Sequence, residues 1–440
     1  MRISGPNAFP IANALFCGSS PFHPPERGHS MAVGTVVDPK TNEMVDRCVL
    51  LWYRAPQSYT GEDVVELSCH GGAVTLRRVL SLALQSGARM ADPGEFTMRA
   101  FMNGRMDLSQ AEAVCDLIRA RTEAAQRIAV SQLDGRLSRE IRSIRDELMG
   151  VLAAIEASID FSDEIGELDV AAALNRMRAA SELIERLIQS AQYGRIYREG
   201  ARVVIVGRPN VGKSSLLNVL IGADRAIVTP VAGTTRDLIE ESANIGGIPL
   251  VAIDTAGLRE TSDPVEVIGV RRAEETLKSC SLALFVLDAS SGFVEADRYI
   301  AERLSDLKAI WIANKIDLVD AERRRDSVSD IASHDPTKGV ITVSAVSREG
   351  LEELQRAIIQ QLAGSAAPDQ AVVNNLRHEE ALRKSFELLQ RSIKTAEEGL
   401  PADFISIDVR GALDALGLVT GETATEDLIH RIFQDFCIGK

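Results

Sequence analysis

Arg202-Val203-Val204-Ile205-Val206-Gly207-Arg208-Pro209-Asn210-Val211-Gly212-Lys213-Ser214 reads as a short buried strand running straight into a phosphate-binding loop. The β-branched run supplies the strand. Gly207 and Gly212 open and close the G-x-x-x-x-G-K-S spacing, and Leu216, Leu217 and Leu220 continue at helical spacing. Strand, loop and helix in that order are the context this motif requires. The glycines let the backbone wrap a phosphate chain with its N–H groups pointing inward. Lys213 brings a point charge to the β- and γ-phosphates, and the Ser214 hydroxyl is a ligand for Mg²⁺. A Gly-rich turn with no ligand is the plain alternative, and the neighbouring segments decide against it.

Outward from the loop, residues 200–363 alternate strands and helices, as in a doubly wound parallel sheet. The strand Leu250–Ile253 ends in Asp254-Thr255-Ala256-Gly257. Asp254 suits the Mg²⁺ shell, and the Gly257 N–H suits a γ-phosphate that hydrolysis releases. The strand Ala309–Ala313 ends in Asn314-Lys315-Ile316-Asp317. A carboxylate such as Asp317 accepts the paired N1–H and N2–H donors of guanine, whereas adenine offers an acceptor at N1. An unpaired buried polar group costs roughly 1–3 kcal/mol, so this residue selects GTP over ATP. Val340–Val343 leads to Ser344-Ala345, whose backbone can reach the guanine O6. The expected nucleotide contacts are Asn210, Val211, Gly212, Lys213, Ser214, Ser215, Thr229, Thr234, Thr235, Asp254, Thr255, Ala256, Gly257, Asn314, Lys315, Asp317, Ser344 and Ala345.

Leu258 stands where Ras-like proteins carry the glutamine that orients water, and an apolar side chain cannot do that. The segment Thr229-Pro230-Val231-Ala232-Gly233-Thr234-Thr235-Arg236-Asp237 offers a threonine for Mg²⁺ and carbonyl oxygens near the phosphates. With Asn210 it can hold a monovalent cation in the place of a catalytic arginine. Arg236 is read as a structural or solvated arginine rather than a finger acting in cis.

The rest of the 440 residues frame this unit. A composition 45% apolar and 25% charged is globular, and a net charge of -14 argues against broad non-specific nucleic-acid binding. Six cysteines without a C-x-x-C suit a reducing cytoplasm. No apolar run approaches the roughly 20 residues needed to span a bilayer.

Residues 1–105 read as mixed α/β, with strands at Met31–Val37, Cys48–Tyr53 and Val64–Cys69. His70-Gly71-Gly72 leads into a helix over Ala73–Gln85 whose buried side is Val74, Leu76, Val79, Leu80 and Leu82. A strand running into His-Gly-Gly can hold an anion, but a tight turn with a satisfied His70 is the preferred reading. From residue 106 the chain turns helical, opening on a capping box of Ser109 and Glu112. Leu137, Ile141, Ile144, Leu148, Val151 and Ile155 form a helix–helix seam. Asp160, Asp163 and Glu164 lie in an acidic break, read as a solvated turn rather than a metal loop. A second helix runs to about Arg198.

Helices return from Asn374, with a seam of Leu382, Phe386, Leu389, Ile393 and Ala396. Further helices follow at roughly Ala402–Leu416 and at Thr425–Phe436, the last with Thr423 and Glu426 as its box. Helices on both sides of one α/β unit indicate insertion of that unit into a bundle. The expected domains are therefore 1–105, 106–199, 200–363 and 364–440.

Gly207–Ser214 with Asn210, Ala232-Gly233-Thr234-Thr235-Arg236-Asp237, Asp254–Thr261 and the terminal Phe436-Cys437-Ile438-Gly439-Lys440 closely resemble the MnmE (TrmE) family of tRNA wobble-uridine modification GTPases. The likeness covers essentially the whole chain. Thr60–Leu67 with His70-Gly71-Gly72, and Pro93–Phe96 with Arg99-Ala100-Phe101, resemble its N-terminal folate domain. The resemblance implies that Asn210, Thr229, Val231 and Thr234 hold K⁺ and that Ser214 and Thr235 ligate Mg²⁺. It implies that Glu266 is the catalytic glutamate, acting through water, and that Cys437 sits toward the folate. It places 5-formyl-tetrahydrofolate or another tetrahydrofolate at Arg2, Glu66, Arg105 and Lys440.

The implied partners are tRNA, a flavin-dependent protein of the MnmG (GidA) type, and a second copy through the N-terminal domain with pairing of the G domains. The implied product is an aminomethyl-type group at C5 of uridine 34. For Glu266 an exposed helix-start carboxylate, and for Cys437 a plain buried cysteine, remain the alternatives. A prenylation box at Cys437 is rejected because Gly439 and Lys440 do not fit it. The family's folate domain opens with a strand and turn of about twenty residues ahead of Arg2–Gly5. A chain starting at Met1 is expected to lack them, leaving a strand edge unpaired. The rival functions are a regulatory GTPase of ribosome assembly, for which no KH-type G-x-x-G follows residue 363, and a folate-dependent one-carbon transferase regulated by its G domain.

Overall fold

The structure is a computed structural model that describes residues 1–18, 28–161, 168–223, 241–254, 280–335, 339–363, 371–434, 436 and 439. It contains an N-terminal sheet domain, a helical domain and a G-domain-like sheet. The chain divides into two compact units. One comprises residues 1–115, 133–142 and 414–440, the other residues 116–132 and 143–413.

In the first unit, β1 (Arg2–Ser4), α1 (Ala8–Leu15), β2 (Phe16–Gly18), β3 (His29–Val37), β4 (Met44–Tyr53) and β5 (Val64–Ser68) build an antiparallel sheet of order β1-β5-β4-β3-β2. The three expected strands are present, each sharing one expected end and shifted at the other. β1 and β2 are additions: three residues are too few to show an alternating pattern. α1 and α2 (Ala73–Gln85) cover one face, where Leu15, Phe16, Leu50, Trp52, Val65 and Val79 form the core. α2 has the expected bounds, and its expected buried side holds only in its C-terminal part. Val79, Leu82 and Ala83 are buried, whereas Val74 is 74% and Leu76 40% exposed. Leu76, though exposed, lines a cavity of this unit rather than its core.

α3 (Glu95–Met102) and α4 (Leu108–Arg119) follow. The capping box expected at Ser109 lies two residues earlier: Gln110 N–H donates to Asp107 Oδ1 (3.0 Å), and Asp107 N–H donates to Gln110 Oε1 (3.0 Å). Ser109 is fully buried and shares a hydrogen bond with Ser138 (2.9 Å). The terminal helix α14 (Glu426–Gln434) is capped by Thr425, whose Oγ1 accepts from Leu428 N–H (3.4 Å); Thr423 instead donates to the Asp414 carbonyl (2.7 Å). Phe433 and Phe436 pack with Leu108, Ala111 and Cys115.

The second unit holds α5 (Glu123–Leu133), most of α6 (Arg136–Asp160), α7 (Val170–Glu199) and a six-stranded sheet. All six seam residues of α6 are buried. The sheet has order β11-β10-β9-β6-β8-β7, comprising β6 (Ala201–Val206), β7 (Glu241–Ile245), β8 (Ile248–Asp254), β9 (Leu282–Asp288), β10 (Ala309–Asn314) and β11 (Val340–Thr342). It is parallel except for the edge strand β7.

Alternate residues of β6 serve opposite layers, as the pleat requires. Val203 and Ile205 join Leu216, Leu220, Leu284 and Ile358, while Val204 and Val206 join Phe285, Trp311 and Ile331. The intervening helices are α8 (Lys213–Ala223), α9 (Glu295–Arg303), α10 (Ala321–His334) and α11 (Leu351–Ala363). α12 (Leu376–Glu397) and α13 (Ala402–Thr420) follow. In the α12 seam Leu382, Leu389, Ile393 and Ala396 are buried, whereas Phe386 is half-buried. Ser385 takes the interior position there and donates to the Ala412 carbonyl (3.0 Å).

Candidate functional site

The loop between β6 and α8 has the backbone its sequence requires. Gly207 and Gly212 adopt positive φ (150° and 96°). A side chain at Gly207 would meet the Val286 carbonyl, and one at Gly212 the Asn314 amide. Neither position has room for a Cβ. Asn210 turns the loop in the left-handed region (φ 62°), where asparagine is among the best tolerated non-glycine residues. Lys213 begins α8, and its ammonium donates to the Gly207 and Arg208 carbonyls (2.9 and 2.7 Å). The charge is thereby held over the same loop whose N–H groups suit an anion. Ser214 and Ser215 are exposed in the first turn of α8.

Asn314 ties three motifs together. It is 1% exposed at the end of β10, and its Nδ2 donates to the Val211 carbonyl (2.8 Å) while its Oδ1 accepts from Ala345 N–H (3.2 Å). Lys315 takes the left-handed region (φ 66°) and donates to Asp288 Oδ2 (2.7 Å). Asp317 is exposed and accepts from the Ser344 hydroxyl (2.6 Å); that oxygen also accepts from Ser347 N–H (3.0 Å). Asp317 thus presents a carboxylate held from behind, the arrangement a guanine edge needs.

Two residues of this site escape the sequence reading. Asp288 ends the apolar run Leu282–Leu287, just as Asp254 ends its own strand, and that pattern could have marked it. Burial pushes its carboxyl upward, but hydrogen bonds from Lys315 and Ser290 outweigh this and hold it below the usual range. Asp297 is fully buried and accepts from Arg208 Nε (2.8 Å); desolvation raises it. It clamps the loop's second residue to α9. The described residues hold Asp254 at the end of β8, paired beside Ile205. Thr229, Val231, Thr234, Thr235, Arg236, Thr255, Ala256, Gly257, Leu258, Glu266, Cys437 and Lys440 lie outside the described residues, as do Asp163 and Glu164.

In the first unit a cavity of about 820 Å³ is lined by Arg2, Glu66, Cys69, Arg89, Phe96 and Gly439, among others. Arg2 and Glu66 are cross-strand partners, with Arg2 Nε donating to Glu66 Oε1 (2.6 Å), and the guanidinium lies over the Tyr59 and Phe96 rings (5.0 and 5.5 Å). Arg105 packs beside Gly61, away from the cavity lining. The Thr60–Asp63 motif braces the fold. Glu62 accepts from Ser4 (2.7 Å) and Arg99 (2.9 Å), and Asp63 from Arg54 (2.9 Å). His70 bonds Asp46 through Nδ1 (2.8 Å), the satisfied turn expected of it. Among the described residues no helix is long and apolar enough to cross a membrane, and no cluster of three or more His, Cys, Asp or Glu could hold a metal.

Family models match both parts of the chain: "GTP-binding protein TrmE N-terminus" over residues 1–105 and "MnmE helical domain" over residues 108–437. The tRNA modification GTPase MnmE of Moorella thermoacetica is 46% identical, the match covering 100% of this chain and 96% of the relative. That of Desulforamulus reducens is 43% identical, with the same coverage of each. A solved structure of Aquifex aeolicus Era with GDP and aluminium fluoride is 30% identical over 43% of this chain and 66% of its own, at a TM-score of 0.32, which decides nothing. The chain is a GTP hydrolase and belongs to the MnmE (TrmE) family of tRNA modification GTPases.

Proposed function

We propose that GTP hydrolysis by this chain drives modification of C5 of wobble uridine 34 in tRNA, jointly with a flavin-dependent protein of the MnmG (GidA) type. The observation that carries this reading is the cavity beside the Arg2–Glu66 pair. Its volume is in the range that small-molecule ligands occupy. A paired guanidinium and carboxylate at its wall suit a folate, whose pterin and glutamate carry complementary donors, acceptors and charge. Arg2, Glu66 and Lys440 would hold the tetrahydrofolate, with Cys437 toward it; Arg105, outside the lining, would reach it only from a different side-chain position. When bound, it supplies a one-carbon unit.

At the phosphate loop, Lys213 and the N–H groups around it bind the triphosphate, and Asp317 reads the base. The hydroxyls of Ser214 and Thr235 are hard oxygen donors of the kind Mg²⁺ takes. Asn210, exposed at the left-handed corner of the loop, would hold K⁺ with Thr229, Val231 and Thr234. Glu266 orients the attacking water, the task that Leu258 cannot perform. The reading extends to a G domain inserted in the helical bundle, to a homodimer through the N-terminal domain with pairing of the G domains, and to action in the cytoplasm.

GTPase rates in K⁺ against Na⁺, for wild type and Glu266→Ala, test the hydrolytic half. Equal rates in the two salts remove the potassium site, and normal hydrolysis by the variant removes the role of Glu266. Mass spectrometry of wobble uridine in a deletion strain tests the other half: the C5 group is expected to disappear. Normal tRNA with an immature ribosomal profile would overturn the assignment.

A further inference from the structure

The antiparallel register of β4 and β5 runs Tyr53↔Val64, Trp52↔Val65, Leu51↔Glu66, Leu50↔Leu67 and Val49↔Ser68. Continued by one step, it sets Cys48 directly opposite Cys69. Opposed residues point to the same face, and both do so here. Cys48 is 5% exposed within the core of the first unit, and Cys69 packs against that core. Neither cysteine is in a disulfide, and each thiol is the largest influence on the other's titration. Cβ atoms of directly opposed residues lie about 4.5–5.5 Å apart. A disulfide needs roughly 3.5–4.5 Å, so a small contraction of the pair closes one.

The two sulfurs are not equivalent. Cys69 lines the cavity that holds Arg2 and Glu66, whereas Cys48 lies behind it and is absent from the lining. We propose that Cys48 and Cys69 form a dithiol–disulfide site that exchanges with a low-molecular-weight disulfide entering through this cavity, with Cys69 as the attacking sulfur and Cys48 as the resolving one. The site stands whether or not tetrahydrofolate occupies the same cavity.

The step balances with the disulfide RSSR as oxidant. The Cys69 thiolate attacks one sulfur of RSSR, whose S–S bond breaks, and RS⁻ leaves and takes up the proton released from Cys69. A mixed disulfide Cys69–S–SR remains. Cys48 then gives up its proton and attacks the Cys69 sulfur, and the second RS⁻ departs as RSH. Two protein thiols are oxidised by two electrons, and one RSSR becomes two RSH. The Cys48 thiol beside it lowers the Cys69 thiol to about 7, against the opposing effect of burial; the same pairing, together with burial, pushes Cys48 up. This fits an attacking thiolate in front of a resolving thiol.

The test uses the full chain, folded and without denaturant, equilibrated with glutathione and glutathione disulfide at stepped ratios. It is then quenched in acid, alkylated and mapped by mass spectrometry. In wild type the Cys48 and Cys69 peptides are expected to become linked, two hydrogens lighter together, and to separate on return to glutathione. Cys48→Ser is expected to trap one glutathione on Cys69, and Cys69→Ser to leave Cys48 unmodified. Phenylarsine oxide, which bridges two close thiols, is expected to protect both peptides from alkylation in wild type only. Wild type yielding solely mixed disulfides, or alkylating at both cysteines at every ratio, overturns the proposal without reference to any variant. So does a Cys69→Ser chain whose Cys48 reacts as readily as Cys69 does in wild type.

Discussion

Asn314 holds one loop with each end of its amide, so its removal is felt twice. Asn314→Ala strands the Val211 carbonyl and the Ala345 N–H, each at roughly 1–3 kcal/mol when buried without a partner. Calorimetric titration with GTP is expected to show at least about tenfold weaker binding, equivalent to about 1.4 kcal/mol, together with a lower Tm. Asn314→Asp keeps the acceptor for Ala345 but sets a second oxygen against the Val211 carbonyl in a buried site, so it is expected to bind GTP no better than the alanine variant. An alanine variant that binds GTP like wild type would break the link drawn between the three motifs.

Glu95 makes a pH prediction at the same scale. Burial alone would raise its carboxyl; hydrogen bonds from Arg89, the Asp92 N–H and Arg99 overcome this and hold it at about 2. A folded value below the unfolded one of about 4.5 contributes stability above that value, which is lost as pH falls toward 2. Denaturant melts between pH 5 and pH 2 are expected to show a shallower acid slope in Glu95→Gln than in wild type, and parallel slopes would refute the assignment.

The start of α4 shows how a helix end can be legible in kind and misplaced in position. Ser-x-x-Glu at Ser109–Glu112 satisfies the capping rule as a string, but so does Asp-x-x-Gln at Asp107–Gln110, and the geometry selects the latter. Ser109 is drawn inside by Ser138, a partner 29 positions away that no local rule can see. Asp107→Ala is expected to cost about 1–2 kcal/mol in denaturant melts through the lost cap. Asp107→Asn, which caps as well but loses the charge facing Arg142 (2.8 Å), is expected to lose less than half of that, since half-exposed ion pairs contribute little. Equal losses for the two variants would show that the ion pair and not the cap matters.

The same contrast runs through the molecule. The phosphate loop and the Asn314–Asp317 segment are legible because spacing alone fixes their chemistry. β9 is missed although its apolar run, closed by Asp288, repeats the pattern that marks β8 and Asp254. The Cys48–Cys69 pair is invisible until strand register is known.

Within the second unit, the layer beneath the G-domain sheet is shared with helices remote in sequence. Ala124, Ile128, Tyr197 and Val372 belong to the same apolar cluster as Val203, Ile205 and Leu250. Gly247 approaches the Ala124 methyl so closely that a side chain there would collide with it. A polar lattice closes this layer. Arg198 Nε donates to Asp116 Oδ1 (2.8 Å), Asn374 Nδ2 to Asp116 Oδ2 (3.0 Å), and Gln132 Nε2 to both Asn374 Oδ1 (3.0 Å) and the Val372 carbonyl (2.8 Å). Asp116 and Asn374 are 258 positions apart, and both are buried. Sequence periodicity reports which face of each helix is apolar but not which distant segment covers it, so this join could not be foreseen.

Asp116 is its anchor, since its two oxygens serve the segment before the G-domain sheet and the segment after it. Removing one partner of a buried ionic network costs about 3–5 kcal/mol, and Arg198, with its side chain 28% exposed, recovers part of that through water. Asp116→Ala is therefore expected to lower stability by about 2–3 kcal/mol, at or just below the bottom of that range. Hydrogen exchange on the full chain is expected to show faster exchange in residues 123–132 and 371–380 together, because the lattice binds them as one layer. Asp116→Asn keeps the acceptor for Asn374 and is expected to retain most of the protection. Faster exchange in only one of the two segments would mean that the lattice does not couple them, and that apolar burial alone holds the remote helices to the sheet.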